Sequence, residues 1–166
     1  MPGTSTVDIL KSAILLEKKG RAFYGQVAEQ ASHAEVKRFF ELMAEEEAEH
    51  IRILTEQFKS YQDTQHFTPL SAPEATADIA GKVLTSDLVA AIAAADYEAA
   101  AISAAMALEK NAVRLYADRA ASASDPEEKA LYDWLNRWEQ SHLRFLADID
   151  HEITERIWHD NHFWSF

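Results

Sequence analysis

An internal repeat constrains the fold most, because the second half of the chain matches the first at an offset of 92 residues. Within each half, apolar residues recur every three or four positions, which is the spacing of amphipathic helices. Each half therefore predicts a helical hairpin, and pairing two hairpins that cannot bury their apolar stripes alone gives a four-helix bundle. The matched pairs are Leu16/Leu108, Glu17/Glu109, Lys18/Lys110, Tyr24/Tyr116, Ser32/Ser124, Glu35/Glu127, Glu47/Glu139, His50/His142, Arg52/Arg144 and Leu54/Leu146.

The predicted boundaries place the whole chain, 1–166, in a single domain. The hairpins cover 7–59 and 86–155, and the linker over 60–85 is long enough to cross the bundle. Ser32 to Glu35 and Ser124 to Glu127 have the pattern of capping boxes, which would begin the second helix of each hairpin. The helical stretch that follows residue 86 can contain a break.

Residues 156–166 form a tail that is rich in aromatic side chains, including Trp158 and Trp164. A chain end with this composition is expected to dock on its own bundle or on a second subunit. Trp134 and Trp138 are expected to pack within the bundle or at an interface.

Composition supports an all-α class, since Gly and Pro number only 4 each in 166 residues. The net charge of −12 argues against a nucleic-acid partner or an anionic membrane. The absence of cysteine excludes disulfides, zinc ribbons, iron–sulfur clusters and a rubredoxin-type iron site in this chain.

No secretory signal is visible in residues 1–20, so a cytoplasmic location is expected. The most apolar stretch, 88–108, contains Asp96 and Glu98. It is therefore interpreted as a buried alanine-rich helix rather than a membrane span.

Four glutamates are predicted to lie level in mid-bundle. In each hairpin one glutamate precedes, and another follows, the turn serine by 15 residues, which is roughly 22 Å along a helix. On each second helix a histidine follows the glutamate by three residues and lies on the same face. The six residues are Glu17, Glu47, His50, Glu109, Glu139 and His142.

Burying these carboxylates unpaired would cost several kcal/mol per ion, and the inward stripes carry no Lys or Arg near this level. Two divalent cations would neutralise four carboxylates, and the mixed O/N donors suit iron or manganese, with zinc also possible. The alternative is an acidic bundle whose Glu and His side chains are solvated or are satisfied core groups. The remaining histidines are not expected to bind metal; they are His33, His66, His151, His159 and His162.

On these residues and the repeat, the chain resembles the ferritin-like diiron-carboxylate superfamily, and within it the rubrerythrin-like proteins, over about residues 7–155. The resemblance implies a ferritin-like four-helix bundle with a long crossover and two iron ions. It also implies redox chemistry of Fe(II) with peroxide or dioxygen. Glu47 and Glu139 would bridge the irons and each His would be terminal, whereas Glu17 and Glu109 would be terminal or bridging.

Departures from this family pattern carry consequences. Rubrerythrins typically add a cysteine-ligated iron domain, so here the electron donor would be another molecule. They also tend to carry an extra Glu where this chain has Ala112, whose repeat mate is Gly20. Haem is not expected, because Glu46 and Ala48 flank Glu47 where bacterioferritins typically have a haem-binding Met.

Tyr24 and Tyr116 lie two turns beyond Glu17 and Glu109. They either hydrogen-bond the ligand carboxylates or quench oxidising equivalents, or they act only as core aromatics. Three functions remain open: a peroxide- or dioxygen-reducing enzyme, a ferroxidase for iron storage or delivery, and a bundle whose metal is purely structural or that is an interaction module with no metal. A homo-oligomer is expected, with a dimer favoured.

Overall fold

The computed structural model describes residues 3–71, 86–94 and 96–160. This part of the chain contains α-helices and no strand, which confirms the predicted all-α bundle. The helices are α1 (Thr6–Gln30), α2 (Ala34–Thr64), α3 (Ser86–Ala94), α4 (Asp96–Ser122) and α5 (Pro126–Asp160).

Both hairpin turns are capped, but not by the predicted serines. His33 is the N-cap of α2, and its ring nitrogen Nδ1 accepts a hydrogen bond from the Glu35 backbone N–H at 3.2 Å. At the second turn the Asp125 carboxylate accepts from the Glu127 backbone N–H at 2.8 Å. The prediction of serine caps was wrong because each helix begins one residue later, where another acceptor reaches the free N–H groups.

Two helices run beyond their predicted ends. The helix α2 continues to Thr64 and ends at Gln65, whose φ of 60° is left-handed and whose N–H donates to the Tyr61 carbonyl. The helix α5 continues to Asp160, so the beginnings of the predicted linker and tail are both helical. Residues 72–85 of the linker and 161–166 of the tail lie outside the described residues.

The two hairpins pair in opposite directions. The helix α1 packs along α2, and α4 packs along α5. Tyr24 of α1 contacts Glu109 of α4, whereas Tyr116 of α4 contacts Glu17 of α1. These crossed contacts make α1 and α4 antiparallel, so the two hairpin turns lie at opposite ends of the bundle.

Two apolar clusters form the core, one at each end of the bundle. Burying each large apolar side chain contributes about 1.5–3 kcal/mol. The first-turn cluster includes Val27, Val36, Phe39, Phe40, Met43, Leu88, Ile92, Ile102, Phe145, Leu146 and Ile149. The second-turn cluster includes Ile9, Leu10, Ile53, Leu54, Tyr116, Leu131, Tyr132, Trp134, Leu135 and Trp138.

Among the described helices, none taken singly is long and apolar enough to cross a membrane. One bent pair, 86–94 with 97–122, meets the test jointly by length and composition.

Candidate metal centre

The six predicted ligands meet between the two apolar clusters. They come from four helices, and none of them is more than 3% exposed. This burial excludes the alternative in which these side chains are solvated. The set comprises Glu17 of α1, Glu47 and His50 of α2, Glu109 of α4, and Glu139 and His142 of α5.

The six side chains form two overlapping sets of donors, and within each set the ligand atoms lie within 4.8 Å of one another. Glu47 and Glu139 belong to both sets. The His50 group adds Glu17 and His50 to these two glutamates, whereas the His142 group adds Glu109 and His142. Two ions held by these groups would share the Glu47 and Glu139 carboxylates.

Both imidazoles turn Nδ1 toward the carboxylates. His50 Nδ1 lies 2.8 Å from Glu139 Oε1 and 3.3 Å from one oxygen of each of Glu17 and Glu47. His142 Nδ1 lies 3.2 Å from Glu139 Oε2 and 3.5 Å from Glu109 Oε1. Each ring nitrogen thus faces several carboxylate oxygens, which is the arrangement of ligands around a common point.

Several donor atoms of this cluster are buried without a hydrogen bond. They are Glu47 Oε2, both carboxylate oxygens of Glu139, and His142 Nδ1, counted within the described part of the chain. Buried polar atoms are nearly always paired in proteins. No Lys or Arg is buried among the described residues to supply that pairing. The donor set fits divalent iron or manganese, which imidazole and carboxylate ligands suit.

In the metal-free cluster, bound protons neutralise part of the negative charge of the carboxylates. Burial, together with the charges of Glu139 and Glu17, holds the pKa of Glu47 well above its ordinary range, and burial raises the pKa of Glu109 to about 8. Burial opposes ionisation of Glu139 as well, but the His50 charge and the close contacts with both imidazoles hold its pKa well below the ordinary value.

Burial acts on the pKa of a histidine in the direction opposite to its effect on a glutamate. Burial lowers the pKa of His50 and of His142, but the neighbouring carboxylates outweigh burial and hold both values well above the ordinary range. A cation that binds here must displace these protons, so metal affinity should rise with pH.

Two tyrosines hydrogen-bond, across the bundle, the two carboxylates that belong to only one donor set each. The Tyr24 hydroxyl donates to Glu109 Oε1 at 2.5 Å, and the Tyr116 hydroxyl donates to Glu17 Oε1. Burial and the adjacent carboxylates hold the pKa of both tyrosines well above 10.0, so both remain neutral donors. Each tyrosine therefore orients a carboxylate that belongs to the opposite hairpin.

A small cavity opens beside the carboxylates on the side of α1 and α4. Its volume is about 10 Å³, which is room for about one water-sized molecule. It is lined by Ala112, which occupies the position of the additional Glu of the family pattern, and by its repeat mate Gly20. Because these two side chains are small, the space beside Glu47 stays open.

Glu46 and Trp138 are contacts of the cluster that the sequence interpretation missed. The Trp138 indole N–H donates to Glu46 Oε2 at 2.8 Å, and the same oxygen contacts His142 Nε2. Trp134 and Trp138 are buried in the bundle and pack edge-to-face against His50, at centroid distances of 5.5 and 5.3 Å. The available signal was the repeat itself, because Glu46 aligns with Trp138 and breaks the match.

The other histidines lie away from the centre. His33 caps α2, and His66, His151 and His159 are exposed. His162 lies outside the described residues.

Comparison with known proteins agrees with this geometry. The family model of rubrerythrin matches residues 8–149, which is most of the chain. No curated protein and no solved structure gives a significant match. The matched segment contains all six clustered Glu and His residues, and the chain belongs to the rubrerythrin family.

Proposed function

We propose that this protein is a diiron-carboxylate redox protein that reduces peroxide or dioxygen with Fe(II). The observation that carries the proposal is the buried double set of donors, which shares Glu47 and Glu139. Four carboxylates and two imidazoles in an apolar core are costly to maintain unless cations neutralise them.

The residues would divide between two ions. Glu47 and Glu139 would bridge, Glu17 and His50 would complete one position, and Glu109 and His142 the other. Four carboxylates balance two divalent charges, so the loaded centre is neutral. When bound, two Fe(II) ions supply the two electrons that, with two protons, convert hydrogen peroxide to two waters.

The surrounding residues select a small oxidant. The two apolar clusters close both ends of the centre, so that access from the bundle ends is blocked. The cavity beside Gly20 admits a molecule about the size of water, which suits peroxide or dioxygen rather than an organic substrate. Tyr24 and Tyr116 hold Glu109 and Glu17 in place while the charge of the centre changes.

The reducing equivalents come from another molecule. The chain has no cysteine, so it contains no cysteine-ligated iron site that could relay electrons. An external electron donor, and assembly of this chain as a homodimer, are part of the proposal.

An anaerobic Fe(II) titration of the full chain tests the proposal, with bound iron counted per chain and one pulse of peroxide at the end. We expect two irons per chain and a fast rise in near-ultraviolet absorbance on oxidation. Absence of specific iron, or bound iron that is inert to the peroxide pulse and to later exposure to dioxygen, would overturn the redox function.

Solution mass and melting temperature separate the remaining alternatives. A hollow assembly of many subunits that retains oxidised iron would indicate storage. Metal that is inert to oxidants, yet whose removal strongly lowers the melting temperature, would indicate a structural role.

A further inference from the structure

The two halves of the centre differ at one repeat-related pair of positions. Position 46 on α2 is Glu, and its repeat mate on α5 is Trp138. The two side chains meet, because the indole N–H donates to Glu46 Oε2. They meet beside Nε2 of His142, on the side of the ring away from the shared carboxylates.

This contact would fix the tautomer of His142 once a cation is bound. Its Nδ1 faces Glu109 and Glu139 and must have a free lone pair to bind a cation. Nε2 would then carry the proton and donate a hydrogen bond to Glu46 Oε2. The indole N–H therefore donates to Glu46 rather than to the ring nitrogen 3.1 Å away.

His50 has no such partner. Its Nε2 is fully buried and makes no hydrogen bond within the described part of the chain. Trp138, the repeat mate of Glu46, instead packs edge-to-face against the His50 ring, and Trp134 makes a similar contact with the same imidazole. The two metal-facing histidines thus have a charged support in one half and an aromatic one in the other.

We propose that Glu46 makes the two metal positions unequal, so that the His142 group binds a divalent cation more tightly than the His50 group. The inference rests on the proposed metal binding. A carboxylate that accepts the remote N–H of a ligating His fixes the ring and raises the basicity of the ligating nitrogen. Such contacts change metal affinity by about 10- to 100-fold. Glu46 is therefore a positioning residue, which acts through His142.

Calorimetric titration of the metal-free full chain with Co(II) measures the inequality directly. In the unmodified protein we expect two successive steps whose affinities differ by about 10- to 100-fold. Glu46→Gln keeps the size but removes the charge, and should weaken the tighter step by about 10-fold so that the steps converge. Glu45→Gln is the matched control, because it removes the same charge from an exposed neighbour that pairs with Arg38.

A second variant and a spectrum distinguish the positioning of His142 by Glu46 from the effect of the negative charge alone. Glu46→Asp keeps the charge but shortens the reach to His142 Nε2, so it should behave like Glu46→Gln. Mössbauer spectra with one equivalent of ⁵⁷Fe(II) should show one dominant doublet in the unmodified protein and two comparable doublets in Glu46→Gln. This spectrum requires only the unmodified chain, should either variant fail to fold.

The outcomes distinguish this inference from the proposed function. Two equal steps in the unmodified protein, or steps in Glu46→Gln that match those of Glu45→Gln, would overturn the inequality and leave the diiron function standing. Failure to bind either Co(II) or Fe(II) would overturn both.

Discussion

The two hairpins of this bundle agree where their side chains face the centre and differ in the contacts behind it. Each contributes two buried glutamates, one histidine and one tyrosine that crosses to the other hairpin. Behind these residues, Glu46 is paired with Trp138 and Gly20 with Ala112 in the repeat. The residues that face the centre are therefore matched between the halves, whereas the residues that pack behind them have diverged.

The largest effect is expected when a glutamate that belongs to both donor sets is replaced, compared with replacing one that belongs to a single set. Glu47 belongs to both donor sets and Glu17 to one. Glu47→Ala should lower the affinity for both ions, by more than about 100-fold, because it removes a charged ligand from each. Glu17→Ala should weaken mainly one ion. Iron counted per chain after anaerobic loading checks both, with exposed Glu45→Ala as control. Retention of two ions by Glu47→Ala would contradict the shared role.

The next effect is the pH dependence of the metal-free protein. The pKa of Glu47 is raised, and that of Glu109 is about 8 against an ordinary 4.5. These two carboxyl groups therefore stabilise the fold at low pH, and their contribution is lost as pH rises through the folded pKa values. The raised pKa values of His50 and His142 change stability in the same direction. Their stabilising contribution is full below about pH 6.5 and is lost as pH rises through the folded values. The lowered pKa of Glu139 matters only below about pH 4.5.

The melting temperature of the metal-free protein should therefore fall between pH 5 and pH 8, by about 5 °C if about 2 kcal/mol is lost. Calorimetry at constant ionic strength measures it. The metal-loaded protein should not show this fall, because cations replace the protons. A melting temperature of the metal-free protein that rises over this range would show that the buried carboxyls are not protonated.

The crossed tyrosines provide a symmetric test. Tyr24→Phe and Tyr116→Phe each remove one hydrogen bond to a buried carboxylate, at Glu109 and Glu17 respectively. Each should lower the free energy of unfolding by about 1–3 kcal/mol and leave the helical content unchanged. Denaturant titration of the metal-free protein checks the pair. A large difference between the two variants would mean that the hairpins differ here too.

The smallest effect concerns the cavity. Gly20→Ala makes this position equal to its repeat mate Ala112, and the added Cβ would lie 3.6 Å from the Glu47 carboxylate, an ordinary contact. Alanine in mid-helix should raise the free energy of unfolding by about 1 kcal/mol, or about 2–4 °C in melting temperature. The smaller cavity should slow oxidation by peroxide in stopped-flow absorbance. Unchanged oxidation would place oxidant entry elsewhere.

Much of this arrangement could be read from periodicity and counting. Equal spacing from the turns placed Glu17 level with Glu47, and the three-residue step placed His50 on the same face. These inferences depend only on helix geometry within one hairpin. The caps were misassigned because several side chains near a turn can accept the same N–H, and their reach depends on local backbone angles.

Helix periodicity and the 92-residue repeat are both visible in the linear sequence, so they suffice to predict the helical class, the two hairpins and the six residues that face one another. The packing of one hairpin against the other sets which tyrosine contacts which glutamate, where a cavity remains, and that Glu46 reaches His142 while Trp138 packs against His50. These contacts join residues 85 to 99 positions apart. They depend on the offset and rotation of one hairpin against the other, which side-chain packing sets and no local pattern encodes.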